Sequence, residues 1–199
     1  MTVAALYIDP RGPYPATVGP EFCWDADRDA TIYAGPWPVI AHPACGPWSR
    51  LRHLYRGSEG GPELAFHALE AVRAFGGILE HPAHSRFWAA AELPRPGEPP
   101  DAWGGWTEAI NQCDFGHVAR KPTWLYCVGV DRESAAWRPP PREPTHYIGG
   151  GRDTHGPTSR RGGAIPNGIR AAHRGHRIRT PAPLAAWLVA LAETANARP

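Results

Sequence analysis

Several patterns that would settle the class of a protein at once are missing from this chain of 199 residues. No stretch approaches the ~18 consecutive apolar residues that a membrane-spanning helix needs, so we expect no membrane partner. The first residues carry no basic region and only a short apolar run, which argues against a signal peptide. None of the four cysteines forms a Cys-x-x-Cys pair, so neither a zinc ribbon nor a disulfide framework is indicated. We therefore expect reduced cysteines and a cytoplasmic protein.

The composition is that of a globular chain with unusual amounts of three residue types. Hydrophobic residues make up 42% and charged residues 20% of it, which fits one domain over residues 1–199 with a single core. The 24 prolines and 22 glycines predict many turns. The nine tryptophans indicate either aromatic packing around a thin core or surfaces on which planar ligands stack.

The small net charge of +2 is spread unevenly along the chain. Between Arg152 and Arg179 there are seven arginines and three histidines, and Asp153 is the only acid. A tract of this kind suits a phosphate backbone, although a solvated surface segment gives the same pattern. The residues of this tract that we expect to contact nucleic acid are Arg160, Arg161, Arg174 and Arg177.

Short apolar runs that end in polar loops alternate with helical patterns. Strands are predicted over residues 3–8, 37–41, 77–79 and 123–130, and helices over 62–75 and 181–195. This alternation predicts an α/β protein with a mostly parallel sheet and flanking helices. In such sheets ligands bind beyond the carboxyl ends of the strands, and Cys45 and Glu80 both follow strand ends. We expect these two residues to face one crevice.

Three segments hold residues with chemical potential, and a lone cysteine among them would more often be a small buried hydrophobe than a nucleophile. The segments are Pro43-Ala44-Cys45-Gly46-Pro47-Trp48-Ser49, then Glu80-His81-Pro82, then Phe115-Gly116 followed by Lys121-Pro122-Thr123. In this order they resemble motifs of the DNA cytosine-5 methyltransferases: the Pro-Cys-Gln loop, the Glu-Asn-Val or Glu-Asn-Pro motif, and an aromatic-Gly and Lys-Pro-Thr variant of phage-type members. The resemblance covers roughly residues 37–130. It implies a reduced Rossmann-like methyltransferase fold in a bacterial or phage-infected cell.

The resemblance also implies a transferase that acts on DNA. The thiolate of Cys45 would add to C6 of cytosine, which makes C5 nucleophilic towards a methyl group. Glu80 would stabilise the ring near N3 and is expected to have a raised pKa. Arg120, with Lys121 as second choice, would support the anion, and the base would leave the duplex stack or come from a single strand. The residues near this centre expected to contact nucleic acid are Trp48, Ser49 and Lys121.

S-adenosylmethionine is the donor that the resemblance implies. The residues expected to contact it are Asp9, Gly12, Asp25 and Pro43. The chain departs from the family's pattern here, because Asp9-Pro10-Arg11-Gly12-Pro13-Tyr14 stands where members carry a Phe-x-Gly-x-Gly loop. The family's Gln-x-Arg-x-Arg motif is not intact, and residues 131–180 form an irregular basic insert in the place of a target-recognition region.

Four interpretations therefore stay open at this stage. The chain is a minimal S-adenosylmethionine-dependent methyltransferase, a pyrimidine-C5 hypermodifying enzyme with another donor, a non-catalytic DNA-binding relative, or a metal-dependent nuclease or hydrolase. The last interpretation draws on the ten histidines, among them His42 and the pairs His81/His84 and His173/His176. No His-Glu-x-x-His motif and no zinc-finger spacing occurs, so we expect no metal.

Overall fold

The computed structural model describes residues 2–25, 27–49, 52–55, 60–148 and 170–195. Within these ranges, six strands form one sheet in the order β2-β1-β3-β4-β6-β5, and two short strands, β7 and β8, form a second sheet. The strands are β1 (Ala4–Leu6), β2 (Cys23–Trp24), β3 (Val39–Ala41), β4 (Gly77–Pro82), β5 (Trp106–Asn111), β6 (Pro122–Val128), β7 (His146–Tyr147) and β8 (Arg170–Ala171). The α-helices are α1 (Tyr14–Val18), α2 (Glu63–Phe75), α3 (Phe87–Ala90), α4 (Arg132–Ala136), α5 (Arg174–Ile178) and α6 (Ala182–Ala192).

The main sheet is mixed, with a parallel and an antiparallel part. Strand β1 pairs in parallel with β2 and β3, and β3 pairs in parallel with β4. Strand β6 runs antiparallel to both β4 and β5. The α/β class and the mostly parallel sheet are thus confirmed. The sequence patterns did not predict β5 or the antiparallel edge.

Side-chain alternation along the strands builds a hydrophobic layer on each face of the sheet. On β4, Ile78 packs with α1 and α6 on one face, whereas Leu79 packs with α2 and α3 on the other. Both side chains are fully buried. Each such burial stabilises the fold by about 1.5–3 kcal/mol relative to an exposed side chain. The alternation continues past these residues, so Glu80 and His81 extend to opposite faces.

Helix α2 and strand β4 are joined by two glycines that have different roles. The helix buries a stripe of Ala65, Ala68, Leu69 and Val72, and Gly76 ends it by donating its N–H to the Val72 carbonyl at 3.0 Å. Gly77 has φ +115°, and a Cβ there would lie 2.0 Å from the Val39 carbonyl oxygen. Only glycine lets β4 begin this close to β3. The predicted helix at 62–75 and its end at Gly76 are confirmed.

Helix α6 covers the α1 face of the sheet. Leu184, Leu188 and Leu191 are buried, and Trp187 packs against the ring of Phe115 with 4.9 Å between centroids. The predicted helix over 181–195 is confirmed with shorter bounds. Among the described helices, none has the length and apolar character to cross a bilayer.

Candidate functional site

The carboxyl ends of β1, β2, β3 and β4 meet at one edge of the sheet because these strands are parallel. Ala41 of β3 lies opposite Leu79 of β4, so the next residues, His42 and Glu80, face each other across the same edge. The two side chains are bonded, with 2.9 Å between His42 Nδ1 and Glu80 Oε2. The segments that carry Cys45 and Glu80 are therefore brought to a common edge, as the strand pattern predicts.

Tyr14 extends this pair into a chain of three groups. Its hydroxyl lies 2.6 Å from His42 Nε2. Burial, followed by the charge of Glu80, raises the pKa of Tyr14 well above its usual value, so the phenol keeps its proton. Tyr14 therefore donates to Nε2, and His42 carries its own proton on Nδ1 and donates it to Glu80. With the protons placed in this way, both hydrogen bonds that link Tyr14, His42 and Glu80 have one donor and one acceptor.

The other carboxylate oxygen of Glu80 accepts a hydrogen bond from the hairpin that joins β5 to β6. Gln112 Nε2 donates to Glu80 Oε1 at 3.0 Å and to Thr123 Oγ1 at 3.1 Å. The Thr123 hydroxyl in turn donates to the Lys121 carbonyl oxygen at 3.1 Å. Glu80, Gln112 and Thr123 are all buried. The result is a continuous polar chain across the sheet, inside an otherwise apolar face.

Glu80 is ionised in this arrangement. Burial alone raises the pKa of its carboxyl, but the hydrogen bond from His42 and the charge of Lys121 more than offset burial and bring the pKa down to about 2. The sequence-based expectation of a raised pKa is therefore wrong. The expectation came from the role near ring N3 that the resemblance implies, whereas two donors and a nearby cation stabilise the charged form of Glu80.

The cation near Glu80 is Lys121 and not Arg120. Lys121 is half-buried, and its charge lowers the pKa of both Glu80 and His81. Arg120 is exposed, and its charge acts on Cys113, where it lowers a pKa that burial raises. The sequence favours Arg120 with Lys121 as second choice, and Lys121 is the one whose charge acts on Glu80.

Cys45 differs from the other three cysteines in exposure. Cys23, Cys113 and Cys127 are buried, and burial raises the pKa of Cys23 to about 11, whereas Cys45 is exposed. Cys45 lies three residues beyond His42, just before a 3-10 turn over Gly46–Trp48. Of the four cysteine sulfurs, that of Cys45 is thus the one a ligand can reach, and its thiolate would be the reactive form.

The residue after the thiol packs against an aromatic ring. A Cβ at Gly46 would lie 2.1 Å from the ring of Tyr55. Glycine at this position leaves room for the ring. The Pro-Cys-Gln loop that this segment resembles has glutamine there. The backbone beside Cys45 is thus covered on one side by Tyr55.

Trp48 and His81 line the opposite face of the sheet, behind the Cys45 loop. The half-buried ring of Trp48 packs edge-on against Phe66 and Phe87, with centroids 5.7 and 5.5 Å apart. His81 is fully buried beside Phe87, and burial lowers its pKa to about 4. Neither ring nitrogen of His81 has a hydrogen-bond partner within the described part of the chain. Ser49, predicted with Trp48 as a nucleic-acid contact, is half-buried.

The residues predicted to hold the cofactor lie at the same edge of the sheet, apart from the network. Asp9 closes a turn in which its carboxylate accepts the Arg11 N–H at 2.9 Å and its carbonyl accepts the Gly12 N–H at 2.8 Å. Asp25 follows β2, and its Oδ1 accepts the N–H groups of Asp27 and Arg28. Pro43 is buried.

This arrangement fits an adenosyl cofactor only in part. Both hydrogen bonds to Asp25 use Oδ1, which leaves Oδ2 to accept from a ribose hydroxyl. The N–H groups of Arg11 and Gly12 are bonded inside their own turn, so this turn offers neither of them to the carboxylate of a methionine moiety. The amino-acid half of S-adenosylmethionine therefore does not fit here.

No protein-family model, curated protein or solved structure matches this chain.

The predicted nucleic-acid residues of the basic tract divide into two groups. Arg160 and Arg161 lie outside the described residues. Arg174 and Arg177 belong to α5, where Arg177 is exposed. This helix is held to the β5–β6 hairpin, because His117 lies with Nε2 2.8 Å from the His176 carbonyl oxygen.

Histidines gather where α5 meets the rest of the protein. The ring centroids of His173 and His176 lie 3.8 Å apart, and those of His146 and His176 lie 5.4 Å apart. Among the described residues, no group of three or more His, Cys, Asp or Glu side chains is arranged to hold a metal ion. The pairs His81/His84 and His173/His176 thus do not form such a group.

Sequence reasoning missed three members of the polar network: Tyr14, His42 in its present role, and Gln112. Tyr14 begins α1, directly after the segment that the resemblance links to the cofactor. Among the histidines, His42 suggests a metal ligand from the sequence alone. A usable signal did exist for His42, since it follows a buried strand on the same face that Glu80 occupies one strand away.

Proposed function

We propose that this protein modifies cytosine bases of DNA at C5 through a covalent adduct between the Cys45 sulfur and ring C6. One observation carries the proposal. An exposed cysteine follows β3, and a buried, ionised carboxylate lies on the neighbouring strand β4 at the same edge of the sheet. A nucleophile beside a fixed charge in a partly closed site is a recurring arrangement in enzymes.

The fold supports a ligand site at this edge. In the order β2-β1-β3-β4, the chain turns to opposite sides of β1, so β1 and β3 flank a topological switch point. Ligands of Rossmann-like folds bind outside the carboxyl ends of the strands at such a point. The Asp9 turn follows β1 and the Cys45 loop follows β3, which puts one on each side of the crevice. A reduced Rossmann-like methyltransferase fold is consistent with this placement.

The chemistry starts with addition of the Cys45 thiolate to C6. The S–C6 bond forms, the C5–C6 double bond opens, and its electron pair moves towards C5 and the N3–C4 side of the ring. Lys121 supplies positive charge close to the site, which stabilises the negative charge that develops on the ring. Glu80 is an anion at neutral pH, so it accepts a hydrogen bond from the 4-amino group of cytosine and does not supply a proton to N3.

Addition and its reversal need no donor molecule. After the sulfur adds, C5 takes a proton from water, loses the hydrogen it carried before, and the thiolate then leaves. The net result is exchange of the C5 hydrogen with solvent. Because the Asp9–Gly12 turn does not fit the methionine part of S-adenosylmethionine, we derive no methyl-transfer step, and a different electrophile remains compatible with the site.

Hydrogen exchange at C5 is therefore the direct test. DNA containing cytosine in varied sequence contexts is incubated with the protein in heavy water, and deuterium at C5 is measured by mass spectrometry after digestion. We expect exchange with the wild type and none with Cys45→Ala, whereas the buried-cysteine control Cys113→Ala retains it. No exchange with the wild type, together with salt-dependent binding of the same DNA, would identify a non-catalytic DNA-binding protein.

A further inference from the structure

The amide of Gln112 has one oxygen that finds no partner. Both N–H bonds of Nε2 are used, one to Glu80 Oε1 and one to Thr123 Oγ1. The amide oxygen Oε1 is buried and accepts no hydrogen bond from any described residue. Gln112 is 1% exposed. A buried carbonyl without a donor is costly, and such a group in a native site calls for a ligand or a bound water.

The orientation of this amide is fixed by its neighbours. Glu80 is ionised and can only accept, so it requires the nitrogen of Gln112 on its side. The Thr123 hydroxyl already donates to the Lys121 carbonyl, so it too accepts from the nitrogen. If the amide were flipped, Gln112 Oε1 would face the Glu80 carboxylate and the Thr123 oxygen, and neither has a proton to donate to it. The unpartnered oxygen is therefore a consequence of the network and is held in place beside the carboxylate.

We propose that Gln112 is a specificity-determining residue that, together with Glu80, recognises the 4-amino group of the pyrimidine. This inference rests on the proposed function. A primary amino group has two N–H donors, and the site presents two acceptors, the carboxylate of Glu80 and the amide oxygen of Gln112. The side chains of His42 and Glu80 are each 10% exposed, so the carboxylate end of this site reaches the surface.

The same arrangement rejects uracil and thymine. Their 4-oxo group is an acceptor, and it would face two further acceptors without a proton between them. Sites built to hydrogen-bond one substrate group discriminate strongly against an analogue that lacks it, because buried polar groups are then left unpaired. Gln112 would thus select cytosine at the step of binding, before the thiol reacts.

The test compares two single-stranded oligonucleotides, one of thymine only and one with a single cytosine among thymines. Binding is measured by the fluorescence anisotropy of labelled strands. In the wild type, contact with the site is also followed by the side-chain amide signal of Gln112 in nitrogen-15 NMR spectra, assigned by its absence in Gln112→Met. We expect the wild type to bind the cytosine strand about tenfold or more tightly than the thymine strand, and Gln112→Met to bind both within about twofold. Thr107→Val, which removes a buried hydroxyl that donates to the Pro94 carbonyl outside the network, should keep the preference.

Equal binding of the two strands by the wild type, or an undiminished preference in Gln112→Met, would overturn the assignment. The second result would mean that Oε1 holds only a water molecule. Exchange of the C5 hydrogen with heavy water is measured on the same preparations. A cytosine preference without exchange keeps the role of Gln112 and refutes the thiol chemistry, whereas exchange without the preference refutes Gln112 and keeps the thiol chemistry.

Discussion

Replacing Glu80 by glutamine should change how stability depends on pH. The pKa of Glu80 falls from an ordinary 4.5 to about 2 in the folded protein. One pKa unit corresponds to about 1.4 kcal/mol, so ionised Glu80 contributes on the order of 3 kcal/mol to the free energy of unfolding at neutral pH. Since the folded-state pKa is depressed, this contribution is present above pH 4.5 and is lost as the pH falls towards 2.

Urea unfolding followed by tryptophan fluorescence at a series of pH values measures this contribution. We expect the wild type to lie above Glu80→Gln by on the order of 3 kcal/mol at pH 7, and the two curves to approach each other between pH 4.5 and 2. Glu70→Gln, at a side chain that is 76% exposed, serves as the control and should follow the wild type. If Glu80→Gln tracked the wild type at a constant offset across this range, the pKa of Glu80 would not be lowered by folding.

Two further predictions concern the backbone at Gly77 and the histidines around α5. Gly77→Ala should lower the free energy of unfolding by at least ~3 kcal/mol or prevent folding, because the added Cβ meets the Val39 carbonyl. The control Gly97→Ala, which also has a positive φ but open space around it, should lower it by about 1 kcal/mol in the same urea assay. Burial, followed by the charge of His173, lowers the pKa of His176, so docking of α5 weakens as the pH falls below about 6.5. Hydrogen exchange of the β7–β8 amides should show weaker protection as the pH falls. Protection factors, the intrinsic exchange rate divided by the observed rate, that do not change with pH would contradict the prediction.

The elements with strong apolar patterns could be predicted from the sequence. Helices α2 and α6 carry apolar stripes that follow a proline, α2 ends at Gly76, and β6 is rich in β-forming residues. Strand β5 escaped prediction because its Trp-Thr-Glu-Ala-Ile-Asn sequence mixes buried and exposed positions without strict alternation. Its pairing with β6 is a tertiary property that local patterns do not contain.

The candidate site was predictable in its location but not in its electrostatics. Parallel strands bring their carboxyl ends together, so Cys45 and Glu80 could be assigned to one edge from the strand pattern alone. The ionisation of Glu80 depends on His42, which follows β3, and on Lys121, which lies in the β5–β6 hairpin, and the positions of both follow from register and hairpin length. Neither can be obtained from residue spacing within one segment.

The antiparallel direction of β6 determines which residues the β5–β6 hairpin brings to the candidate site. A strand that is antiparallel to its neighbour begins at the edge of the sheet where the neighbour ends, so Lys121, just before β6, lies near the end of β4. Asn111 accepts the N–H of Lys121 at 3.0 Å, which ties both stems of the hairpin that also carries Gln112. Gln112, the residue proposed to recognise the base, and the charge of Lys121 thus lie on one loop, and we expect a graft of residues 112–121 to exchange both together while Cys45 stays on its own loop.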